Sequence, residues 1–332
     1  MGATIKQVAS LSGVSTATVS KYLNGVKLKE KNRVAVEAAI KMLGYKANAM
    51  ARNLRTNRSM TVGVLIPELD NAFSTKVISY IENELTPHGY STIICDYKSH
   101  PSLEHQKLDF LLNKMVDGLI VMPTRLKAED IKELNVPIVF IDRNISGCNE
   151  NAVLIDNRKA TYEATETLIK NGHKRIGIIC GSAEVYTAEE RRKGYEQAMH
   201  AYGLSLDFEM IAHGQYDVET GYTLAHKLMR GKEAPTAMIA TNYDITTGSV
   251  IALHEMGYNI PEDVSFIGFD NEELSRATRP PLSVILQPLE EIGKRVSEII
   301  LEQMNNTEAP NKTVMLEPTF LSKSSVKNIS EQ

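Results

Sequence analysis

Short apolar runs alternate with longer helical stretches from residue 60 onward, and this alternation constrains the fold more than any other feature of the chain. The stretches between the runs, such as residues 76–88 and 159–171, have the length and amphipathic pattern of helices. Strands that alternate with such helices form parallel sheets covered on both faces, so the sequence predicts an α/β body. The runs are TVGVLIP, YSTIICDY, DGLIVMP, IVFIDR, RIGIICG, TAMIATN and VSFIGFD.

Polar residues follow several of these runs, at the point where each predicted strand ends. Ligands in parallel α/β folds bind outside the carboxyl ends of the strands, so we expect ligand contacts among these residues. They are Asp70, Asn71, Asp142, Arg143, Asp156, Asn157, Asn242, Asp270 and Asn271.

Charge is divided unevenly along the chain. Residues 1–58 contain eleven lysines and arginines and two acids, whereas the remaining residues contain 26 basic and 39 acidic side chains. A cationic head on an anionic body indicates that the head meets a polyanion. A solubilising charge run is the simpler alternative, but here the basic residues are interleaved with apolar ones.

Two short helices separated by a turn are predicted at the start of the head. Thr4 and Gln7 have the spacing of a capping box, and Gly13 breaks the helix that follows. Ser15 can cap a second helix, residues 16–23. Two helices joined by a turn of about three residues form a helix-turn-helix, whose second helix enters the major groove of DNA. An ordinary helical bundle is the alternative.

A third helix is predicted for residues 30–43, where apolar residues recur at helical spacing. Val34, Ala38 and Met42 lie four residues apart and are expected to face inward, and Gly44 is expected to end the helix.

The motifs of the head and the body resemble those of the LacI/GalR family of bacterial transcription regulators. The resemblance rests on TIKQVASLSGVSTATVSKYLNG, AIKMLGYKANAMARNLRTNRSMTVGVLIP, HKRIGIICG, PEDVSFIGFDN and PLSVILQP, which together span essentially the whole chain. It implies an N-terminal all-α helix-turn-helix domain and an α/β periplasmic-binding-protein-like body of two subdomains with parallel sheets. The implied bounds are 1–46 for the helix-turn-helix, 47–58 for a hinge helix, 59–332 for the body, 60–157 and 288–318 for its N-subdomain, and 158–287 and 319–332 for its C-subdomain.

The resemblance assigns DNA contacts to the second helix and its surroundings. Thr16, Ala17 and Lys21 match the family's base-reading positions, and Lys21 replaces an arginine that is common there. Lysine is a point charge without the two-pronged guanine contact of arginine, so the outer bases of the operator stay open. Phosphate contacts or helix caps are expected from Thr4, Ser15, Thr18, Ser20 and Asn24.

The segment NAMARNLR, residues 48–55, resembles the family's hinge helix, which orders on DNA beside its twin from a second subunit. Leu54 matches the leucine that the family wedges into the minor groove at the centre of the operator. A basic interdomain linker is the alternative. The residues implied at this contact are Asn48, Ala51, Arg52, Leu54 and Arg55.

Nine residues of the body match the family's ligand cleft: Asn71, Phe73, Arg143, Asp156, Thr187, Arg191, Asn242, Asp270 and Gln287. Asp270 can accept hydroxyl hydrogens, Arg191 can donate to oxygens, and Phe73 offers a flat apolar wall to a sugar ring. The expected effector is therefore a sugar or sugar phosphate. Asp156 could instead cap a helix. Tyr243 departs from the aspartate common among relatives, which alters the expected rim of the cleft.

The resemblance implies a repressor of carbohydrate metabolism genes that binds a pseudopalindromic double-stranded operator as a homodimer and responds to a small effector. One alternative is a catabolite-control regulator whose corepressor is a phosphorylated carrier protein, for which Lys294 and Arg295 are the candidate contacts. The other is a non-regulatory sugar-binding receptor.

The sequence contains no pattern typical of an enzyme. Its eight histidines form no catalytic or metal motif and its three cysteines lack metal-ligand spacing, so neither catalysis, a metal nor a cofactor is expected. No apolar run reaches the roughly 18 residues that span a bilayer, and the first residues lack the apolar core of a signal peptide. A cytoplasmic location without a membrane partner is expected.

Overall fold

The computed structural model describes residues 3–23, 26–45, 58–231 and 233–330, and the chain divides into two units between Ser59 and Met60. The three predicted helices of the first unit, the head, are confirmed. They are α1 (Ile5–Ser12), α2 (Thr16–Leu23) and α3 (Glu30–Leu43).

Side-chain caps set the ends of α1 and α2. The predicted capping box is confirmed: Thr4 N–H donates to Gln7 Oε1 at 2.8 Å, and Gln7 N–H donates to Thr4 Oγ1 at 3.3 Å. Gly13 ends α1 with a φ of 68°, a left-handed conformation that suits glycine. The hydroxyl oxygen of Ser15 then accepts from the N–H of Thr18 at 3.1 Å, which starts α2.

The predicted inward face of α3 is wrong. Val34, Ala38 and Met42 are exposed, and Val36 and Ala39 are buried in the core of the head instead. Both sets of positions have helical spacing, so the pattern alone does not select between them. A step of two residues turns a helix by about 200°, and the predicted stripe therefore faces away from the core.

Two six-stranded sheets form the second unit, the body. Its strands are β1 (Thr61–Ile66), β2 (Ser91–Asp96), β3 (Gly118–Val121), β4 (Ile138–Ile141), β5 (Asn151–Ile155), β6 (Ile176–Cys180), β7 (Ile211–His213), β8 (Ala237–Ala240), β9 (Ser265–Phe269), β10 (Ser283–Leu286), β11 (Thr313–Leu316) and β12 (Thr319–Leu321). The first sheet has the order β11-β5-β4-β3-β1-β2 and the second β12-β10-β9-β8-β6-β7. Every pair is parallel except β10 with β12. Each of the seven apolar runs contains a strand, as predicted.

The helices of the body are α4 (Ala72–Leu85), α5 (Pro101–Asn113), α6 (Ala128–Lys132), α7 (Asn157–Lys170), α8 (Tyr186–Ala201), α9 (Val218–Met229), α10 (Tyr243–Glu255), α11 (Glu272–Ala277) and α12 (Leu289–Asn305), with 3-10 turns at Thr86–His88 and Phe208–Met210. Helix α4 begins four residues before the predicted start because Asn71 caps it, accepting from the N–H groups of Phe73 and Ser74 at 3.0 and 3.2 Å. Among the described residues, none of the helices has both the length and the apolar character to span a bilayer.

Helices cover both faces of each sheet. In the first sheet, α4 and α12 pack on one face and α5 and α6 on the other, so the neighbouring residues Val64 and Leu65 of β1 belong to different cores. In the second sheet, α9 and α10 cover one face and α7 and α8 the other. The chain passes between the sheets three times, between β5 and α7, between β10 and α12, and between β11 and β12.

Glycine lets α9 and α10 pack backbone to backbone. A Cβ atom on Gly248 of α10 would lie 2.0 Å from the carbonyl oxygen of Val218. We therefore expect Gly248→Ala to force the helices apart and to lower the free energy of unfolding by about 2–4 kcal/mol, measured by urea denaturation. Gly231→Ala is the matched control, since the nearest atom to its new Cβ would lie at 3.3 Å. Equal losses in the two variants would contradict this packing.

Candidate functional site

A cleft of about 180 Å³ is lined by residues that follow the carboxyl ends of strands from both sheets of the body. Eight of the nine residues predicted to contact a ligand line this cleft. They are Asn71, Phe73, Arg143, Thr187, Arg191, Asn242, Asp270 and Gln287. Tyr243, the departure noted in the sequence, also lines it.

Asp156 is the predicted cleft residue that does not line the cleft. Its carboxylate caps α7 by accepting from the N–H of Lys159 at 2.9 Å, which is the structural alternative that the sequence left open. Its neighbour Asn157 is buried and supports the cleft indirectly, because its Oδ1 accepts from Nε of Arg191 at 2.7 Å. Both residues of this strand end were expected to contact a ligand, and neither lines the cleft directly.

Arg191 is fixed before any ligand arrives. Besides its bond to Asn157, it donates through Nη1 to the carbonyl oxygen of Thr241, and its guanidinium lies 4.1 Å from the centre of the Phe269 ring. The residue is 3% exposed. Because hydrogen bonds and a ring contact hold the guanidinium, it can donate to a ligand oxygen without first being ordered.

Asp270 and Gln287 form a bonded pair in the second sheet's half of the cleft. Gln287 donates from Nε2 to Oδ2 of Asp270 at 2.6 Å and from its backbone N–H to Oδ1 at 3.2 Å. Burial raises the pKa of Asp270 to about 6, although the nearby guanidinium of Arg191 lowers it. Within the described part of the chain, the buried Oε1 of Gln287 has no hydrogen-bond partner.

Asp142 occupies the equivalent position in the first sheet's half. Asp142 follows β4 and Asp270 follows β9, each strand is third in the order of its sheet, and both aspartates have a positive φ, of 64° and 57°. The strand-end pattern in the sequence includes Asp142, whereas the family resemblance assigns the ligand contact to Arg143. Asp142 Oδ1 and Arg143 Nε are buried and have no hydrogen-bond partner among residues that the structure describes. Nonglycine residues with left-handed backbone are typical of functional sites.

Tyr216 is a cleft residue that the sequence reasoning missed. It follows β7, and its hydroxyl lies 3.1 Å from that of Thr187. The ring lies against Gly181, where a Cβ atom would be 2.4 Å from Cζ of the tyrosine. An aromatic residue shortly after a short strand is the sequence feature from which Tyr216 could have been predicted as a cleft residue. Together with Phe73 and Tyr243, it gives the cleft lining three aromatic side chains.

Polar contacts join the two halves at the rim of the cleft. Asn71 donates from Nδ2 to Oδ2 of Asp244 at 3.2 Å, and Arg125 pairs with Glu184. Burial raises the pKa of Asp244 to about 6, an effect that the bond from Asn71 opposes and the negative charges of Glu68 and its neighbours increase. The rim is therefore polar and rich in carboxylates.

The head presents a second surface that could bind a ligand. Thr16, Ala17 and Lys21 are exposed on α2, whereas Val19 is fully buried on the opposite side. Ser15 and Thr4 serve as caps, and their hydroxyls remain exposed. Thr18 and Ser20 are half-buried. The remaining predicted DNA contacts lie outside the described residues, namely Asn24, Asn48, Ala51, Arg52, Leu54 and Arg55.

Both acids of the head contact one arginine, and the head as a whole keeps an excess of basic side chains. Arg33 contacts both acids of the head, Glu30 and Glu37, each at 2.6 Å. One arginine thus offsets much of the negative charge, and the exposed lysines, Lys21 included, dominate the surface potential.

The chain thus combines a small three-helix unit of the helix-turn-helix type with a two-sheet body of the ligand-binding type, whose cleft lies at the ends of its strands. Residues 59–324 match the profile of periplasmic binding proteins and the sugar binding domain of the LacI family, and residues 4–48 match that of the bacterial regulatory proteins of the lacI family. The chain belongs to the LacI family of bacterial regulatory proteins. It is a DNA-binding transcription regulator and not an enzyme.

Known proteins resemble the chain along its whole length. The HTH-type transcriptional repressor PurR of Actinobacillus pleuropneumoniae serotype 3 (strain JL03) is 33% identical over 99% of this chain and 100% of its own. The Lac repressor dimer bound to operator and the anti-inducer ONPF has a TM-score of 0.88 at 24% identity, covering 98% of this chain and 100% of that one. The complex of the transcriptional regulator CelR with cellobiose has a TM-score of 0.73 at 26% identity, covering 97% and 99%.

Proposed function

We propose that the protein is a cytoplasmic homodimeric repressor of carbohydrate metabolism genes, whose affinity for a pseudopalindromic operator is set by a sugar or sugar derivative bound in the cleft. The observation that carries the proposal is the convergence, in a chain of this family, of eight predicted ligand contacts on one cleft. PurR, which matches the chain over its whole length, is named a transcriptional repressor, and that name supports the direction of control.

The chemistry of the cleft supports a sugar. Carboxylate and guanidinium groups stand side by side in each half, Asp142 with Arg143 and Asp270 with Arg191, and a hydroxyl can donate to the first while it accepts from the second. Aromatic rings offer a flat apolar wall to the faces of a sugar ring. The complex of CelR with cellobiose adds support from a related regulator.

Because residues in both halves of the cleft can contact the ligand, ligand binding can control the angle between the two subdomains. A ligand that contacts both subdomains binds best at one angle between them, and it can shift the regulator only by its preference for that angle. In this proposal, Thr16, Ala17 and Lys21 of each head read one half-site, and Leu54 acts at the centre of the operator. A dimer follows because two equivalent heads fit the two halves of a pseudopalindrome.

Selection from a random library of duplex DNA tests the proposal. We expect the full chain to enrich a pseudopalindromic site, because two basic heads bind equivalent half-sites, and a chain that begins at Met60 to enrich none. The shorter chain retains the cleft, so the two chains should show the same thermal shift with the same sugars. Equal enrichment by both chains, or no enrichment by either, would contradict the assignment of the head.

The two alternatives receive less support. Lys294 lines an open groove that also contains Glu272, Glu290 and Glu291, and Arg295 pairs with Glu291 and Glu298 at 2.7 and 3.0 Å. Acids thus offset the basic residues that a phosphorylated carrier protein would need. A non-regulatory sugar receptor would not need a head, and the head of this chain matches the profile of bacterial regulatory proteins.

A further inference from the structure

We propose that the effector carries no negative charge, and that it is a neutral or amine-bearing polyhydroxylated molecule rather than a phosphate ester or a carboxylic acid. This inference rests on the proposed function of the cleft as the effector site and restricts the chemistry of its ligand.

Each arginine of the cleft already has a partner in the protein, although Nε of Arg143 lacks a hydrogen-bond partner among the described residues. Arg125 pairs with Glu184, and Arg143 donates from Nη1 to the hydroxyl of Thr124 at 2.5 Å while its Nε lies 3.6 Å from the carboxylate of Asp142. Phosphate recognition by arginine uses a two-pronged contact from a guanidinium that faces the anion. An anion here would have to compete with the protein's own acceptors.

Arg191 also has partners in the protein, so an anion would have to share its guanidinium with them. Arg191 donates to Asn157 and to the backbone of Thr241 and stacks on Phe269. Its charge is also the one that opposes the raised pKa of Asp270. This guanidinium therefore already stabilises a protein carboxylate.

Two buried acceptors of the cleft lack a hydrogen-bond donor among the described residues. Asp142 is 6% exposed and Gln287 is 8% exposed, and Asp142 Oδ1 and Gln287 Oε1 lack hydrogen-bond partners within the described residues. Both residues line the cleft. A buried acceptor without a partner is costly, so a ligand that donates a hydrogen bond to it gains affinity. Hydroxyl and amine groups donate, whereas an ionised phosphate or carboxylate only accepts.

The aspartates act from opposite halves. Asp142 and Asp270 follow equivalent strands of the two sheets, and the negative charge of Asp142 is close enough to raise the pKa of Asp270. A donor-rich ligand between them relieves their repulsion, and a third negative charge increases it.

The rim adds more negative charge. Burial raises the pKa values of Glu68 and Asp244 at the rim, and the negative charges of Asp70 and Asp217 raise them further. Lys98 offsets one rim carboxylate through its 2.7 Å contact with Asp96. The lining contains four acidic and three basic side chains, and together with the rim carboxylates this excess of negative charge repels anions before they enter.

Matched ligand pairs test the inference with the full chain. Calorimetry would measure the binding of the neutral sugars glucose, ribose and cellobiose and of the amine glucosamine. Their anionic partners are the phosphate esters of glucose and ribose, and gluconate. We expect each neutral or amine ligand that binds to do so at least about 100-fold more tightly than its anionic partner, because like charges placed together cost several kcal/mol. An anion that binds as tightly as its neutral parent would overturn the inference.

A second measurement needs no ligand. In a Cys148→Ser background, Ser182→Cys places a thiol in the cleft, and Ser205→Cys places one on an exposed loop outside it. Each thiol would be modified with trimethylammonium-ethyl and with sulfonato-ethyl methanethiosulfonate. The measured quantity is the ratio of the modification rate by the cationic reagent to that by the anionic one. We expect this ratio to be at least about tenfold higher at Ser182→Cys than at Ser205→Cys, because a negative cleft concentrates cations.

The reagent ratio also separates the two proposals. If none of the sugars binds, the proposed sugar effector fails, and the ratio still decides the charge of the cleft. Asp244→Asn in the Ser182→Cys chain should lower the preference for the cationic reagent. A ratio at Ser182→Cys equal to or below that at Ser205→Cys would overturn the inference.

Discussion

Asp270→Asn is expected to lower the affinity for the sugar effector by about 10- to 100-fold without lowering the stability of the body. Hydrogen bonds to a charged acceptor contribute about 1.5–3 kcal/mol, and the amide keeps the shape of the side chain but loses the charge. It also loses one acceptor, which the Gln287 side chain accommodates by turning its Oε1 towards the new Nδ2. The ligand for the measurement is the sugar that gives the largest thermal shift with the unaltered chain, and calorimetry provides the affinity. Asp156→Asn is the matched control, because Asp156 caps α7 and does not line the cleft.

Stability should respond to pH in a way that identifies the same carboxyl group. Burial raises the pKa of Asp270 to about 6, above the ordinary value of 3.8 that it has in the unfolded chain. The ionised carboxylate therefore destabilises the folded state at neutral pH, and this cost disappears as the pH falls through 6 towards 4. Asp270→Asn removes the cost, so the variant should melt higher than the parent at pH about 7.5, and the difference should shrink on acidification.

Comparison of two chains is needed because other groups titrate in the same window. The pKa of the buried His173 is lowered by burial, so protonation of His173 destabilises the folded state as the pH falls. Asp244 has a raised pKa and acts in the opposite direction. Both groups are present in parent and variant and cancel in the difference. An unchanged sugar affinity in Asp270→Asn, or a difference in melting temperature that does not depend on pH, would contradict the role of Asp270.

The body could be predicted from the sequence because its signals are local. An apolar run between turn residues becomes a buried strand wherever its sheet lies, and the seven runs did so. Parallel strands also bring their carboxyl ends to one edge, so residues as far apart as Asn71 and Gln287 could be expected in one cleft. The same rule placed Asp156 near the cleft, but its carboxylate is used by the backbone of α7.

Features that depend on packing between elements could not be predicted. The choice between Val34 and Val36 as the buried residue of α3 is made by α1 and α2, since both positions have helical spacing. Tyr216 belongs to the cleft because Gly181, from another strand end, leaves room for its ring. Asp142 stands out only once its carboxylate oxygen is seen to lack a partner among the described side chains and backbone groups.

Lys21→Glu is expected to lower the affinity for the selected operator by at least about 100-fold. Lys21 is exposed on α2, on the side away from the fully buried Val19, and the proposed function places it in the major groove. The substitution removes an ammonium group from a surface that meets phosphates and bases and replaces it with a carboxylate that both repel. Fluorescence anisotropy at fixed salt gives the affinity, and the thermal shift with the sugar should not change.

Lys41→Glu is the control that separates position from charge. Lys41 is exposed on α3 in the same unit, so its reversal alters the net charge of the head equally. If only the overall charge mattered, the two variants would lose the same affinity, and the assignment of α2 as the reading helix would be wrong. If α2 enters the groove, Lys41→Glu should cost about tenfold or less.

Lys21→Arg tests whether the side chain at this position contributes to base recognition as well as positive charge. Arginine keeps the positive charge and adds a planar fork that can bond both acceptors of a guanine, which the ammonium group of lysine does not match. We therefore expect the variant to bind as tightly as the parent and to select sites with guanine at the outer positions of each half-site. An identical selected site in both chains would mean that Lys21 contacts only phosphate, and base recognition would then have to come from Thr16 and Ala17.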